Sequence, residues 1–330
     1  MAPGNDSFMT QFILAGLTDQ SVLQLPLFLL FLVMYMVTVM GNLSLIILIG
    51  LSSHLHTPMY FFLFNLSFID LCYSSVFTPK MLINIISEKK IISYMGCMTQ
   101  LYFLCFFGIS ESYVLTSMAY DRYVAICNPL LYNIAMSSKV CFSLMFGSYL
   151  MAFFEATTLI GCMVRLIFCD ANTINHYLCD IYPLLQLSCT STHIIELEVI
   201  IVSGINITVP SLTIFISYGL ILSNILHIKS TEGRSKAFST CSSHIIAVSL
   251  FFGSSAFVYL KPSSVSADDG KISSVFYTNV IPMMNPLIYS LRNKDVKLAL
   301  RKTLPVAEFW LETLSVCAYS YRTRRFCVFN

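Results

Sequence analysis

The sequence predicts an all-α membrane protein, a bundle of seven transmembrane helices with its N-terminus outside the cell. Three observations support this fold class. Hydrophobic residues make up 56% of the 330-residue chain and charged residues only 11%, against roughly 25% charged residues in soluble domains. The mean hydropathy is +0.75. Seven separate stretches of the chain are mostly apolar over about 20 residues, the length that crosses a bilayer.

The seven spans follow an N-terminal tail over residues 1–25 and together form the domain 26–292. The tail has no basic segment followed by an apolar one, so it does not resemble a cleaved signal peptide, and the first span must direct insertion. The spans are predicted at about 26–50, 58–86, 92–126, 140–162, 197–226, 238–260 and 272–292.

The distribution of basic residues predicts the orientation of the bundle. With the N-terminus outside, 13 of the 19 lysines and arginines lie on the inner side and 6 on the outer side, in agreement with the positive-inside rule. Eight of the 13 belong to the C-terminal segment. We therefore expect a multi-pass protein of the plasma membrane with an extracellular N-terminus.

The composition also excludes several classes of protein. Seventeen acidic and 19 basic side chains cannot cover a soluble globule of this length, which excludes a cytosolic enzyme. The net charge of +2 lacks the basic footprint of a nucleic-acid partner. HExxH, GxSxG and Walker patterns are absent from the sequence, and its histidines do not have metal-ligand spacing. We therefore expect neither an enzyme nor a catalytic metal centre.

Cysteines and one sequon agree with the predicted orientation. Four cysteines fall on the outer side, where disulfides form, and four cysteines allow three pairings. Asn5 begins a glycosylation sequon in the exposed tail and is the predicted glycosylation site. The four outer cysteines are Cys97, Cys169, Cys179 and Cys189.

Three acidic residues lie within predicted spans, where ionisable groups are costly and usually face the bundle interior. Asp70 and Glu111 could converge between helices 2 and 3 and either share a proton or hold a cation. The alternative is that each is a neutral, hydrogen-bonded packing residue. Glu155 has no partner that the sequence identifies, and we interpret it as a protonated or interface-facing residue without a function.

Five short motifs in chain order carry a family resemblance. The most specific is MAYDRYVAIC at 118–127, at the inner end of helix 3. The other four are Gly41-Asn42, LHTPMYFFL at 55–63, KAFSTCSSH at 236–244 and PMMNPLIY at 282–289. Together these motifs resemble those of vertebrate olfactory receptors, within the rhodopsin-like G-protein-coupled receptors, over about residues 8–304. The motifs of helices 6 and 7 resemble class II of that family.

The resemblance implies how the outer end is fixed. Cys97, at the outer end of helix 3, would pair with Cys179 in the second outer loop, and Cys169 would pair with Cys189 within that loop. The pairing would hold a long loop over the mouth of the pocket.

The resemblance also implies two polar sites within the bundle. Asp70 and Glu111, with Asn285 of helix 7, match a cluster that holds a sodium ion or water in related receptors.

The second polar site is the triplet Asp121-Arg122-Tyr123, which matches the switch at the G-protein face. Arg122 would pair with Asp121 at rest and turn to the G protein on activation. An arginine suits this role because it stays charged and offers several donors. Tyr218 and Tyr289 match tyrosines that restack around the arginine.

The ligand pocket of the family lies among the outer halves of helices 3, 5, 6 and 7. Its projection onto this chain is mostly apolar, with a few hydroxyls and one amide, which indicates a small, neutral, volatile ligand. Because the projected set contains no ionised residue, we do not expect a charged amine. Simple helix packing is the alternative interpretation for each residue. The set is Leu104, Cys105, Gly108, Ile109, Val202, Ser203, Asn206, Phe252, Ser255, Tyr259 and Thr278.

Two features depart from the family pattern. Phe252 precedes Gly253 where many members have Tyr, which removes one hydroxyl from helix 6. A short amphipathic eighth helix is expected over 293–304, and the remaining residues, 305–330, form an atypical cytoplasmic tail. The basic residues of the tail could bind anionic headgroups and its cysteines could be palmitoylated; the alternative is an extension without a role.

The resemblance implies an odorant receptor. Its partners would be a small odorant, a heterotrimeric G protein of the olfactory stimulatory type that raises cyclic AMP, and membrane lipid. It implies no cofactor other than a bound sodium ion. One alternative is a receptor of the same fold for a small metabolite outside the nose. Another is a polytopic transporter, which would show internal inverted repeats, and the sequence has no such symmetry.

Overall fold

The computed structural model describes residues 10–18, 20–168, 172–227, 231–260 and 267–292, together with residues 296 and 298. Four sequence-based predictions therefore fall outside the described residues. They concern Asn5, Cys169, the tail 305–330 and, except for residues 296 and 298, the amphipathic helix 293–304.

In the part of the chain that the structure describes, seven helical segments form a bundle, in agreement with the predicted fold class. Six of them are α1 (Ser21–Leu51), α2 (Pro58–Ile86), α3 (Tyr94–Cys127), α4 (Ser138–Met163), α5 (His193–His227) and α6 (Thr231–Tyr259). The seventh, α7, comprises three consecutive pieces: Ala267–Val275, a π-helical turn at Phe276–Val280, and Ile281–Arg292. Among the described residues, α1 to α5 are each long and apolar enough to cross a membrane, and α6 contains the shorter apolar stretch His244–Tyr259.

Several helices start before the apolar run that predicted them. Helix α1 begins at Ser21 rather than near residue 26, and α7 begins at Ala267 rather than near residue 272. The reason is that hydropathy marks the part of a helix that faces lipid, whereas polar residues can continue the same helix beyond it. The outward faces agree with a lipid surrounding, because large apolar side chains such as Phe146 and Phe215 are exposed there.

Helix α3 is the central helix of the bundle. It packs against α2, α4, α5 and α6, while α1 packs against α2 and α7. The contact between α1 and α7 is close: a Cβ added at Gly41 would lie 2.9 Å from Cγ of Pro286. Asn42, the next residue, donates a hydrogen bond to the carbonyl oxygen of Pro282 at 2.9 Å. The Gly41-Asn42 motif therefore joins α1 to the PMMNPLIY motif of α7.

A small sheet covers one end of the bundle, which an all-α prediction did not include. Its strands are β1 (Gln11–Leu14), β2 (Ile91–Ser93) and β3 (Thr173–Ile174), in the order β2-β1-β3. Strand β1 pairs antiparallel with β2 and parallel with β3. Strands of two to four residues carry too little sequence pattern to be predicted, and these pairs link distant parts of the chain.

Candidate functional site

A cavity of about 110 Å³ lies among α3, α4, α5 and α6. Every residue of the predicted pocket lines this cavity, with the exception of Thr278. The lining is mostly apolar, as expected. The residues that line it but were not in the predicted set are Tyr73, Ser112, Glu155, Leu159, Ile181, Val199, Ile207, Phe251 and Tyr277.

Thr278 does not line the cavity and lies within the π-helical turn of α7. Its hydroxyl lies 2.9 Å from the Tyr177 hydroxyl of the second outer loop. Tyr277, its neighbour, lines the cavity instead. A π turn changes the direction of successive side chains relative to an α-helix. Such a turn has no signature in this sequence, and Thr278 is the one residue of the projected set that is not part of the cavity lining.

Glu155 has a partner, which corrects the sequence-based interpretation. Asn206 donates its side-chain Nδ2 to Glu155 Oε2 at 2.6 Å, and both residues line the cavity. Because α4 was not counted among the pocket helices, this pair across α4 and α5 was missed. The cavity lining therefore includes a carboxyl group that the projected set did not contain.

The Asn206 segment is also tied to α3. Ser112 donates its hydroxyl to the backbone oxygen of Asn206 at 3.0 Å. Ser112 lies one helical turn beyond Gly108 on the cavity face of α3. Three helices, α3, α4 and α5, are thus joined by side-chain hydrogen bonds at one wall of the cavity, while its opposite wall comes from α6.

The second outer loop contributes Ile181 to the lining of the cavity. Its Cys179 forms the disulfide with Cys97, which confirms that prediction. Cys189 is also disulfide-bonded, whereas Cys169 lies outside the described residues, so the pairing of these two stays a prediction.

Asp180, next to Cys179, anchors the loop to α6 and α7. Its Oδ1 accepts a hydrogen bond from its neighbour's backbone N–H at Ile181 and lies 3.1 Å from the Tyr259 hydroxyl. Its Oδ2 lies 3.2 Å from the Tyr277 hydroxyl. Sequence reasoning missed Asp180, although an acidic residue beside a cysteine predicted to lie over the pocket was a usable signal.

His176 is a second buried polar residue of this loop. The backbone N–H of Leu178 donates to its Nδ1 at 3.3 Å, and its Nε2 lies 3.3 Å from the Ser274 hydroxyl of α7. Burial lowers the pKa of His176 to about 4, because it disfavours the charged imidazolium. The negative charge of Asp180 raises this pKa, and the positive charge of Lys271 lowers it further. The imidazole is therefore neutral at physiological pH.

The predicted polar cluster assembles between α2, α3 and α7. Asn285 Nδ2 lies 3.0 Å from Asp70 Oδ2 and 3.5 Å from Glu111 Oε1. The remaining oxygens of all three side chains, Asp70 Oδ1, Glu111 Oε2 and Asn285 Oδ1, are buried without a hydrogen-bond partner among the described residues. Hard cations prefer carboxylate and amide oxygens. The donor set therefore fits a sodium ion.

The predicted switch residues lie at the inner end of the bundle. The guanidinium of Arg122 lies 6.0 Å from the ring centroid of Tyr289 and forms a hydrogen bond with Tyr218. Asp121 accepts a hydrogen bond from the Tyr132 hydroxyl at 2.8 Å. Tyr123, the third residue of the triplet, is partly buried.

Two residues of this region were missed by sequence reasoning. Tyr132, in the short helix Tyr132–Ala135 after α3, has no pattern that marks it as a partner of Asp121. His244 belongs to the KAFSTCSSH motif but was given no role. Its Nδ1 lies 2.6 Å from the Tyr218 hydroxyl and joins α5 to α6.

Comparison with known proteins agrees with this geometry. Residues 31–306 match the sequence model of the olfactory receptor family. Similar proteins include olfactory receptor 8B3 of Homo sapiens, 71% identical over 92% of this chain and 97% of its own length, and olfactory receptor 8B2 of Homo sapiens, 70% identical over the same shares. Olfactory receptor 8B8 of Mus musculus is 67% identical over 94% of this chain and 100% of its own length. The chain therefore belongs to the olfactory receptor family.

Proposed function

We propose that this odorant receptor binds a small, neutral, volatile molecule in the cavity among α3, α4, α5 and α6. The observation that carries the proposal is a mostly apolar cavity with a few polar groups at one wall, which is the usual form of a small-molecule site. Its volume of about 110 Å³ is somewhat smaller than the roughly 150 Å³ of an apolar cavity that binds benzene, which favours a small ligand. The carboxyl of Glu155 is engaged by Asn206, which favours a neutral ligand.

Binding is proposed to act on α6. Phe252, Ser255 and Tyr259 of α6 line the cavity, and His244 of the same helix contacts Tyr218 nearer the inner end. A ligand shifts an equilibrium only if it binds one state better than the other. Contacts with the outer part of α6 that improve when the helix moves would favour the active arrangement around Arg122.

The active arrangement is proposed to engage the olfactory stimulatory G protein and raise cyclic AMP. Arg122 supports this role because it lies beside Tyr218 and Tyr289, on three different helices. A movement of α5 or α7 would therefore change its surroundings directly. A sodium ion held by Asp70, Glu111 and Asn285 is proposed to stabilise one arrangement of α2, α3 and α7.

The orientation is proposed to be N-terminus outside, in the plasma membrane. The Cys97–Cys179 disulfide lies at the same end as strand β1 near the N-terminus, because β1 pairs with β2, just before Cys97, and with β3, just before Cys179. Disulfides persist in oxidising compartments, so this end is expected to face the exterior.

The test is an odorant panel on cells that express the full chain with an N-terminal tag and a cyclic-AMP reporter. We expect concentration-dependent responses to a subset of small volatile molecules, and surface staining of unpermeabilised cells through the tag. Cells without the olfactory stimulatory G-protein α subunit are the control and should not respond. A receptor that reaches the surface, is silent to the whole panel and has no basal signal would contradict the proposal.

A further inference from the structure

The side-chain amide of Asn206 has both of its donor hydrogens occupied. Its Nδ2 donates to Glu155 Oε2 at 2.6 Å and to the carbonyl oxygen of Val202 at 2.9 Å. An amide nitrogen carries two hydrogens, so this nitrogen has none left. The side-chain amide of Asn206 can therefore form a hydrogen bond with a ligand only through its oxygen, as an acceptor.

The oxygen of that amide lacks a hydrogen-bond partner among the described residues. Asn206 is only 7% exposed, and its Oδ1 is buried. Asn206 also lines the cavity. A buried acceptor without a partner is costly, so a ligand that donates a hydrogen bond to Oδ1 removes that cost, whereas a ligand with acceptors only does not.

Neighbouring hydroxyls do not supply this donor. Ser112 directs its proton to the backbone oxygen of Asn206, and the Tyr259 hydroxyl donates to Asp180. The orientation of the amide is fixed because Nδ2 donates to two acceptors at once, Glu155 Oε2 and the Val202 carbonyl oxygen.

We propose that the cavity selects ligands that carry a hydroxyl group on a small apolar body, and that Asn206 Oδ1 accepts the hydroxyl proton. Asn206 is the binding residue, and Glu155 is a positioning residue that directs its oxygen toward the ligand. This inference rests on the proposed function and deepens it by naming the ligand class.

The first experiment compares ligands of one carbon skeleton in the cyclic-AMP assay: a primary alcohol, its methyl ether and the corresponding aldehyde. We expect the half-maximal concentration of the alcohol to be about tenfold lower than that of the other two, as one buried hydrogen bond predicts. Equal potency of the three would overturn the proposal. A primary amine of the same skeleton that exceeds the alcohol, and loses its advantage in Glu155→Gln, would also overturn it.

The second experiment uses variants at matched surface level. Asn206→Leu should bring the ratio of alcohol to ether potency close to one. Glu155→Leu should do the same by releasing the amide, whereas Glu155→Gln keeps an acceptor for Nδ2 and should keep the ratio. Thr158→Ala is the matched control, because Thr158 is exposed on α4 and bonds only within its own helix.

If Asn206→Leu does not reach the cell surface, the comparison of Glu155→Leu with Glu155→Gln tests the proposal instead. A ratio that is the same in Glu155→Leu, Glu155→Gln and the unchanged chain would overturn the positioning role. If the proposed function itself were wrong, the result would differ: neither the three ligands nor the wider panel would raise cyclic AMP in cells with the receptor at the surface.

Discussion

Two polar regions of the bundle differ in how completely their buried groups are paired: the network around Asp180 under the second outer loop, and the cluster of Asp70, Glu111 and Asn285 deeper in the bundle. Under the outer loop, the carboxylate of Asp180 has partners for both oxygens, and the hydroxyls of Tyr177 and Tyr277 are paired as well. Deeper in the bundle, Asp70, Glu111 and Asn285 each have one buried oxygen without a partner among the described residues, and the buried hydroxyl of Tyr289 also lacks one.

The difference separates a fixed part of the molecule from a part suited to change. A saturated network loses hydrogen bonds in any rearrangement and therefore holds one geometry. Buried groups without partners can gain hydrogen bonds or an ion when neighbouring helices move. We infer that the outer end holds the loop in place over the cavity while the inner half undergoes the switch.

The largest effect is expected at the inner end. Arg122→Ala should reduce the cyclic-AMP response to that of cells without the receptor, because the residue beside Tyr218 and Tyr289 loses its charge and its donors. Surface staining and ligand binding should stay nearly unchanged. Lys139→Ala, which removes an exposed charge at the start of α4, is the control. If Arg122→Ala signalled normally, Arg122 would not be part of the switch.

The second largest effect is expected in the hydrogen-bond network around Asp180. Asp180→Ala should lower the free energy of unfolding by about 2 to 4 kcal/mol, because the partly buried Tyr259 hydroxyl and a backbone N–H lose their acceptor and the buried Tyr277 hydroxyl keeps only Ser274. Thermal unfolding of the purified receptor in detergent measures this. Asp180→Asn retains one acceptor oxygen and should therefore lose less stability than Asp180→Ala. If the alanine variant were as stable as the unchanged chain, the network would not hold the loop.

The third effect is a pH dependence from the outer network. The folded pKa of His176 is about 4, below the unfolded value of about 6.5. The unfolded chain therefore binds the proton first as pH falls. The stabilisation is complete above pH 6.5 and is lost as pH drops from 6.5 to 4, by up to about 3 kcal/mol.

Thermal unfolding at pH 7 and pH 5 tests this dependence. His176→Gln, which cannot be protonated, should remove most of the difference between the two values. His54→Gln changes an exposed histidine and should leave the difference as it is. If the His176→Gln variant showed the same difference in stability between pH 7 and pH 5, other groups would cause the pH dependence.

The smallest effect is expected at the polar cluster. Sodium chloride should raise the thermal stability above that in choline chloride of equal ionic strength, by about 1 kcal/mol when the ion is several-fold above its dissociation constant. Asp70→Asn removes one charged oxygen donor and should abolish the difference between the salts. A sodium effect that persists in this variant would exclude Asp70 as a ligand of the ion.

Much of this protein follows from local sequence. Spans of apolar residues predict the seven helices because lipid requires every backbone polar group to be satisfied within its own segment. The motifs predicted that Asp70, Glu111 and Asn285 meet, and that Arg122 lies near Tyr218 and Tyr289. The apolar character of the pocket also follows, since each residue type is read directly from the chain.

The rest was decided by tertiary structure. The bond between Glu155 and Asn206, the partners of Asp180 and the strand pairs of β1 each join residues far apart in sequence, which local patterns cannot predict. The π turn that directs Thr278 toward Tyr177 and Tyr277 toward the cavity changes side-chain direction without changing composition. The sequence by itself determined which residues are helical and apolar. Packing alone decided which polar atoms are paired, because that depends on distances between helices that no single segment contains.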